Sequence, residues 1–142
     1  MAGIPLQNAK IVQMLRPIDA TGATLTDVEV DTAGYDYLTV IVSTGNVAAD
    51  MTTLKLQESN STGASEADFT GGAFTAPAAT GGDNNVLAAF IDLRKRKRYI
   101  STVATGGAGA TLISAVGILT NAEVSPTSAT ERGLNEQLIP AT

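Results

Sequence analysis

Tyr35-Asp36-Tyr37-Leu38-Thr39-Val40-Ile41-Val42 decides the fold class. Aromatic and β-branched residues crowd this stretch, a composition that suits a pleated, packed surface. It follows a Thr32-Ala33-Gly34 turn and is expected to be a central strand. Upstream, Thr24-Leu25-Thr26-Asp27-Val28-Glu29-Val30-Asp31 alternates, which sets Val28 and Val30 on one face and Asp27, Glu29 and Asp31 on the other. Before it, Lys10-Ile11-Val12-Gln13-Met14-Leu15 reads as a first strand that Arg16-Pro17 should end.

Downstream the pattern repeats. In Met51-Thr52-Thr53-Leu54-Lys55-Leu56-Gln57-Glu58-Ser59, Leu54 and Leu56 oppose Lys55 and Gln57. A polar Ser/Gly/Ala passage follows, broken by Asp68-Phe69 and Phe74, and predicts a long excursion with a short edge strand near Phe69. The turn Gly81-Gly82-Asp83-Asn84-Asn85 leads into a strand over 86–93. Further strands are expected over 99–103 and, beyond Gly106-Gly107-Ala108-Gly109, over 111–120. The sum is about eight strands with no capped helical period and no βαβ rhythm, which predicts an all-β antiparallel sandwich. A jelly roll is preferred; the alternative is an immunoglobulin-like sandwich.

The 142 residues suit one domain. Residues 1–8 are read as an N-terminal arm, 9–122 as the sandwich, and 123–142 as an extended C-terminal tail with Pro126, Pro140 and one helical turn near 132–138. Both arms are expected to order on a partner, with Ile4, Leu6, Leu134, Leu138 and Ile139 as apolar anchors.

Composition narrows the function. The chain has no His and no Cys. It therefore lacks the commonest general base and metal ligand and the thiol nucleophile, and the reading is a protein that is not an enzyme. A hydrolase resting on Asp27, Glu29, Asp31 or Asp92 is the chemical alternative. The N-terminus, Met1-Ala2-Gly3-Ile4-Pro5, has neither the charged nor the apolar segment of a signal peptide. The apolar stretch 111–119 is far short of the ~20 residues that cross a bilayer. A soluble protein with no membrane partner is expected.

Charge is sharply segregated. The net charge is -5, yet five of the nine basic residues are consecutive, Arg94, Lys95, Arg96, Lys97 and Arg98; the remaining 4 face 14 acidic residues, or -10. Such a run is either a solvated turn or a patch that docks on an acidic protein surface or a sister subunit. Nucleic acid fits poorly, because the rest of the chain is acidic and only Tyr99 is an aromatic near the run. If a strand ran through it, Lys95, Lys97 and Tyr99 would share one face and Arg94, Arg96 and Arg98 the other. A sandwich interior would not accept three unpartnered Arg, so the stretch must be exposed or paired. The ladder Asp27, Glu29, Asp31 offers hard oxygen ligands for calcium, but is read as the solvent face of a strand. Asp83-Asn84-Asn85 lacks EF-hand spacing, Gly106-Gly107-Ala108-Gly109 lacks the Lys of a P-loop, and Asn60-Ser61-Thr62 would be glycosylated only on export. No cofactor, metal or small-molecule substrate is expected.

Four blocks carry a family resemblance: Leu54-Lys55-Leu56-Gln57-Glu58-Ser59; Asp68-Phe69; Ile91-Asp92-Leu93-Arg94-Lys95-Arg96-Lys97-Arg98-Tyr99-Ile100; and Asn121-Ala122-Glu123-Val124-Ser125-Pro126. Over residues 35–126 the chain resembles the cement, or decoration, proteins that bind the outside of tailed-bacteriophage capsids. That resemblance implies a β-sandwich, usually a homotrimer, made in the host cytoplasm and carried on the virion exterior. Its partner would be the major capsid protein, at junctions between capsid subunits, with no cofactor. A virion-surface module that binds a receptor or carbohydrate is the alternative; the small aromatic inventory, three Tyr, three Phe and no Trp, argues against it.

Overall fold

A computed structural model describes residues 6–26, 28–63, 66–137 and 139. Among the described residues, nine strands form two antiparallel sheets: β1 (Lys10–Asp19), β2 (Thr24–Thr26), β3 (Val30–Asp31), β4 (Tyr35–Val47), β5 (Thr53–Ser59), β6 (Ala67–Ala73), β7 (Val86–Asp92), β8 (Tyr99–Thr105) and β9 (Thr111–Ala122). Sheet A has the order β1-β9-β4-β7; sheet B has the order β2-β8-β5-β6, with β3 also on β8. Because β2 and β3 both pair with β8, they act as one interrupted strand, which leaves eight strand positions.

Counted that way, first pairs with last, second with seventh, third with sixth and fourth with fifth. This order is the one produced when a long antiparallel hairpin rolls over on itself, and it fits a jelly roll. In an immunoglobulin sandwich, by contrast, the first two strands of the chain are neighbours in one sheet.

The core lies between the sheets. Leu38, Val40 and Val42 of β4, Ile113, Ala115 and Leu119 of β9, and Met14 and Leu15 of β1 face Leu54 and Leu56 of β5 and Ile100 and Ala104 of β8. The period-2 alternation produces this in β4, β5, β8 and β9, while the register shift between Gln13 and Leu15 turns both Met14 and Leu15 inward; β4 is central, paired on both sides by β9 and β7. The expected edge strand at Phe69 is β6, with Phe69 buried.

Three segments depart from the sequence reading. Pro17 does not end β1: the strand continues to Asp19 by way of register shifts between Gln13 and Leu15 and between Leu15 and Ile18. An edge strand with bulges tolerates a residue that has no N–H to donate. The alternating run 24–31 is interrupted, so Val30 is buried but Val28 is exposed, its amide donating to Met14 O at 3.2 Å. Residues 126–134 do not extend away from the body. Ser128 and Glu131 cap each other, with Glu131 N donating to Ser128 Oγ and Ser128 N to the Glu131 carboxylate. The turn this creates sits upstream of the one expected near 132–138. It lies along the outer edge of β1, where Ile11 N donates to Arg132 O at 2.8 Å. Arg132 is itself buried and bound by Glu136, with Nη2 2.7 Å from Oε2. Gly133 is required here, because its φ is +74° and an added Cβ would meet Ile11 O at 2.2 Å.

Candidate interaction surface

The basic run is the link between the sheets. β7 ends at Asp92, a short 3-10 turn occupies Leu93–Lys95, and β8 starts at Tyr99. Leu93 is buried and anchors the turn, while Asp92 caps it by accepting from Arg94 N at 3.1 Å. No strand runs through the stretch, so the two-faced arrangement of Arg and Lys does not arise.

Each arginine is paired with a carboxylate and an aromatic ring. Arg94 donates Nε and Nη2 to Asp92 at 2.8 and 2.5 Å and lies 5.7 Å from the Tyr37 ring centre. Arg98 makes the equivalent pair with Asp31, both bonds 2.8 Å, beside Tyr99 at 5.1 Å. Arg96 stacks closely on Phe69, 3.8 Å from the ring centre, while its nearest carboxylate oxygen on Glu58 is 3.9 Å away. For Arg96 the aromatic contact is therefore the closer constraint, and Thr70 O accepts a further bond at 3.3 Å. These pairs also set the titration of the carboxylates. Hydrogen bonds from the Arg94 side chain and then its backbone N–H lower Asp92 from 3.8 to about 2. The Arg98 side chain lowers Asp31, with a further bond from the Ala33 N–H.

The lysines differ. Among the described residues, the ammonium groups of Lys95 and Lys97 have no hydrogen-bond or ion-pair partner, although the Lys97 amide donates to Glu58 at 3.3 Å. The loop is thus a preformed scaffold of three fastened guanidinium groups with two lysines between them.

The other sequence-predicted residues that are described lie outside this loop. Leu6 is exposed, Leu134 is half-buried beside the docked C-terminal turn, and Ile139 is exposed. Ile4 and Leu138 lie outside the described residues, as does Asp27. The other carboxylates of the proposed calcium ladder have protein partners instead: Glu29 accepts from Ser59 Oγ at 3.1 Å and Gly63 N at 3.0 Å, and Asp31 holds Arg98. Among the described residues, no three His, Cys, Asp or Glu side chains come together to hold a metal ion.

A second surface escaped the sequence reading. The outer face of sheet A carries the rows Ile11-Ile118-Thr39-Phe90, Gln13-Val116-Ile41-Ala88 and Ser114-Ser43-Val86, each set side by side by strand register. None of these side chains is charged. Phe90 is 82% exposed and Val86 70%, both on edge strand β7. Two open depressions of about 430 Å³ flank the rows, one lined by Tyr37, Thr39, Phe90 and Asp92, the other by Pro17, Ile18, Leu112 and Ser43. Sheet B is the opposite: its outer face presents Lys55, Gln57 and Asp68, joined by bonds of 2.9 Å from both Lys55 and Gln57 to Asp68. The available signal was the lack of polar residues at alternate positions in Val40-Ile41-Val42 and Ala115-Val116-Gly117-Ile118-Leu119.

No family model matches the chain, and no curated protein matches it. Among solved structures, a chain from Bacillus endospore appendages, described as a novel family of disulfide-linked pili, aligns with a TM-score of 0.44 and 15% identity, over 87% of this chain and 98% of that one. This chain contains no cysteine.

Proposed function

We propose that the chain is a structural virion protein, a cement protein that binds the outer surface of a tailed-phage capsid at junctions between major capsid subunits. The family resemblance in the sequence motivates this reading, and the geometry of the basic loop is the observation that carries it. Arg94, Arg96 and Arg98 are held in place by Asp92, Glu58 and Asp31, and Lys95 and Lys97 are left to meet an acidic surface. A loop whose backbone is fixed in advance loses less conformational entropy on docking, so that the cost left is that of ordering the Lys95 and Lys97 side chains. A protein that binds only the assembled, expanded lattice stabilises it by mass action, and several weak contacts to adjoining subunits raise the effective concentration of each.

Co-sedimentation with purified tailed-phage capsids, expanded and unexpanded, tests the proposal. Retention on expanded shells only, weakened by raised salt and by the double change Lys95→Ser and Lys97→Ser, is the expected result. Absence from both kinds of shell at low salt contradicts it.

A further inference from the structure

We infer that Arg96 is the side chain through which the basic loop recognises its partner, as a fork for one carboxylate of an acidic protein segment, with Lys95 and Lys97 beside it to hold further carboxylates. The inference rests on the docking reading of this loop and assigns its chemistry to particular residues. The three arginines are not equivalent. Arg94 and Arg98 each present Nε and Nη2 to a carboxylate of this chain, Asp92 and Asp31, so the edge that grips an oxyanion is already filled. Arg96 has no such partner. A guanidinium has five N–H donors, and among the described residues Arg96 makes one hydrogen bond, from Nη2 to Thr70 O at 3.3 Å. Glu58 stops 3.9 Å from Nη1, and its other oxygen accepts the Lys97 amide at 3.3 Å.

The unfilled fork is nonetheless held still. Its guanidinium lies 3.8 Å from the centre of the Phe69 ring, and Phe69 packs so closely over Gly72 that an added Cβ there would meet Phe69 Cβ at 2.8 Å. The backbone is fixed as well, since Arg96 N donates to Leu93 O at 3.0 Å and Leu93 is buried. Stacking orders a side chain that would otherwise give up rotamer freedom on binding, and a guanidinium is weakly hydrated, so both costs of taking up a carboxylate are reduced. With 29% of the side chain open to solvent, the group is reachable. Charge defines the occupant. The five cations of the loop face Asp92, Glu58 and Asp31, which leaves a surplus of two positive charges. That surplus suits an acidic segment with a few spaced carboxylates. A doubly charged phosphate seated on Arg96 would meet stronger repulsion from Glu58 than a single carboxylate does.

The test is NMR titration of the full chain with a capped hexaglutamate peptide at low salt, following the arginine Nε–H resonances. The Arg96 resonance should move as peptide is added, while those of Arg94 and Arg98, already bonded to Asp92 and Asp31, stay in place. Arg96→Lys keeps the charge but loses the fork, and should weaken binding at least about tenfold. Arg94→Lys and Arg98→Lys should weaken it less than about threefold, with melting curves showing that each variant is folded. A peptide that does not bind, or that binds without moving the Arg96 resonance, overturns the inference without recourse to any variant. Equal weakening by all three changes does so too, because it marks an undirected charge patch. Pyrophosphate bound as tightly as the peptide, or an Arg96 resonance that moves with protein concentration alone, assigns the fork to a phosphate or to an acidic copy of this chain and likewise overturns it. Capsid co-sedimentation separates the two readings. Shells that retain Arg96→Lys as well as the unaltered chain leave the cement reading standing and contradict this one, whereas shells that retain neither, with the peptide still bound through Arg96, count against the cement reading alone.

Discussion

Arg98 of the basic loop and Asp31 of β3 form a two-pronged ion pair, Nε and Nη2 each 2.8 Å from a carboxylate oxygen. Asp31 and Tyr99 are register partners in β3 and β8, so the pair closes the junction at which the basic loop enters sheet B. The backbone reinforces it, with Thr32 N and Oγ1 both donating to Arg98 O, at 3.0 and 2.6 Å. The guanidinium is consequently a strut of the loop while remaining about half exposed.

Removing that strut should affect loop order more than global stability. In Arg98→Ser, the two Thr32 bonds to the backbone carbonyl persist, and an exposed ion pair contributes little in water. Urea unfolding should show a small loss that shrinks further at high salt, whereas amide exchange over residues 94–98 should accelerate several-fold. A large, salt-independent loss of stability would show that the pair is a structural keystone.

Acid should destabilise the fold in a defined window. Asp92 titrates at about 2 in the folded chain because Arg94 binds its charged form, and Asp31, Asp68, Glu131 and Glu136 are shifted down as well. A lowered folded value means that the unfolded chain takes up protons first. These groups therefore stabilise the fold above the ordinary carboxylate range near about 4, and the contribution declines as pH falls below that range, the Asp92 part being lost through about 2. The unfolding free energy should be flat at neutral pH and decline over this window, less steeply in Asp92→Asn. A stability maximum below pH ~3 would contradict the assignment.

Thr102 is the inverse case. It is fully buried on β8 opposite Leu56, and its Oγ1 has no hydrogen-bond partner among the described residues. Val preserves the shape and removes the orphan hydroxyl, so Thr102→Val should raise stability by about 1 kcal/mol in urea titration. A loss would reveal a buried water or other partner for that oxygen.

Gly133 locks the C-terminal turn to β1. Gly133→Ala places a Cβ against Ile11 O and penalises the left-handed backbone, so the turn should detach and cost about 1–3 kcal/mol. Faster exchange of the Ile11 amide, with the rest of β1 still protected, is the expected signature.

The legibility of this chain followed the strength of its periodicity. Leu54 and Leu56 against Lys55 and Gln57, and the run 35–42 as a central strand, could be read because alternation and β-branched density are local properties. Pro17 misled because tolerance of proline depends on whether the strand lies at an edge, which is a property of the sheet. Val28 misled because the interruption between β2 and β3 shifts its side chain out of phase with Val30. The capping pair Ser128-Ala129-Thr130-Glu131 was a readable signal for the C-terminal turn, obscured by the surrounding polar composition. The uncharged rows on the outer face of sheet A emerge only when Ile118, Ile41 and Phe90 are brought together by register across three strands. The pairing of Arg98 with Asp31, 67 positions apart, is likewise a product of topology.

The most direct measurement for the cement reading is an electron cryomicroscopy reconstruction of expanded tailed-phage capsids incubated with the purified chain. Density for the sandwich at junctions between capsid subunits, with Lys95 and Lys97 facing capsid carboxylates, is expected. Bare shells, or sandwiches seated with the basic loop turned toward solvent, would contradict it.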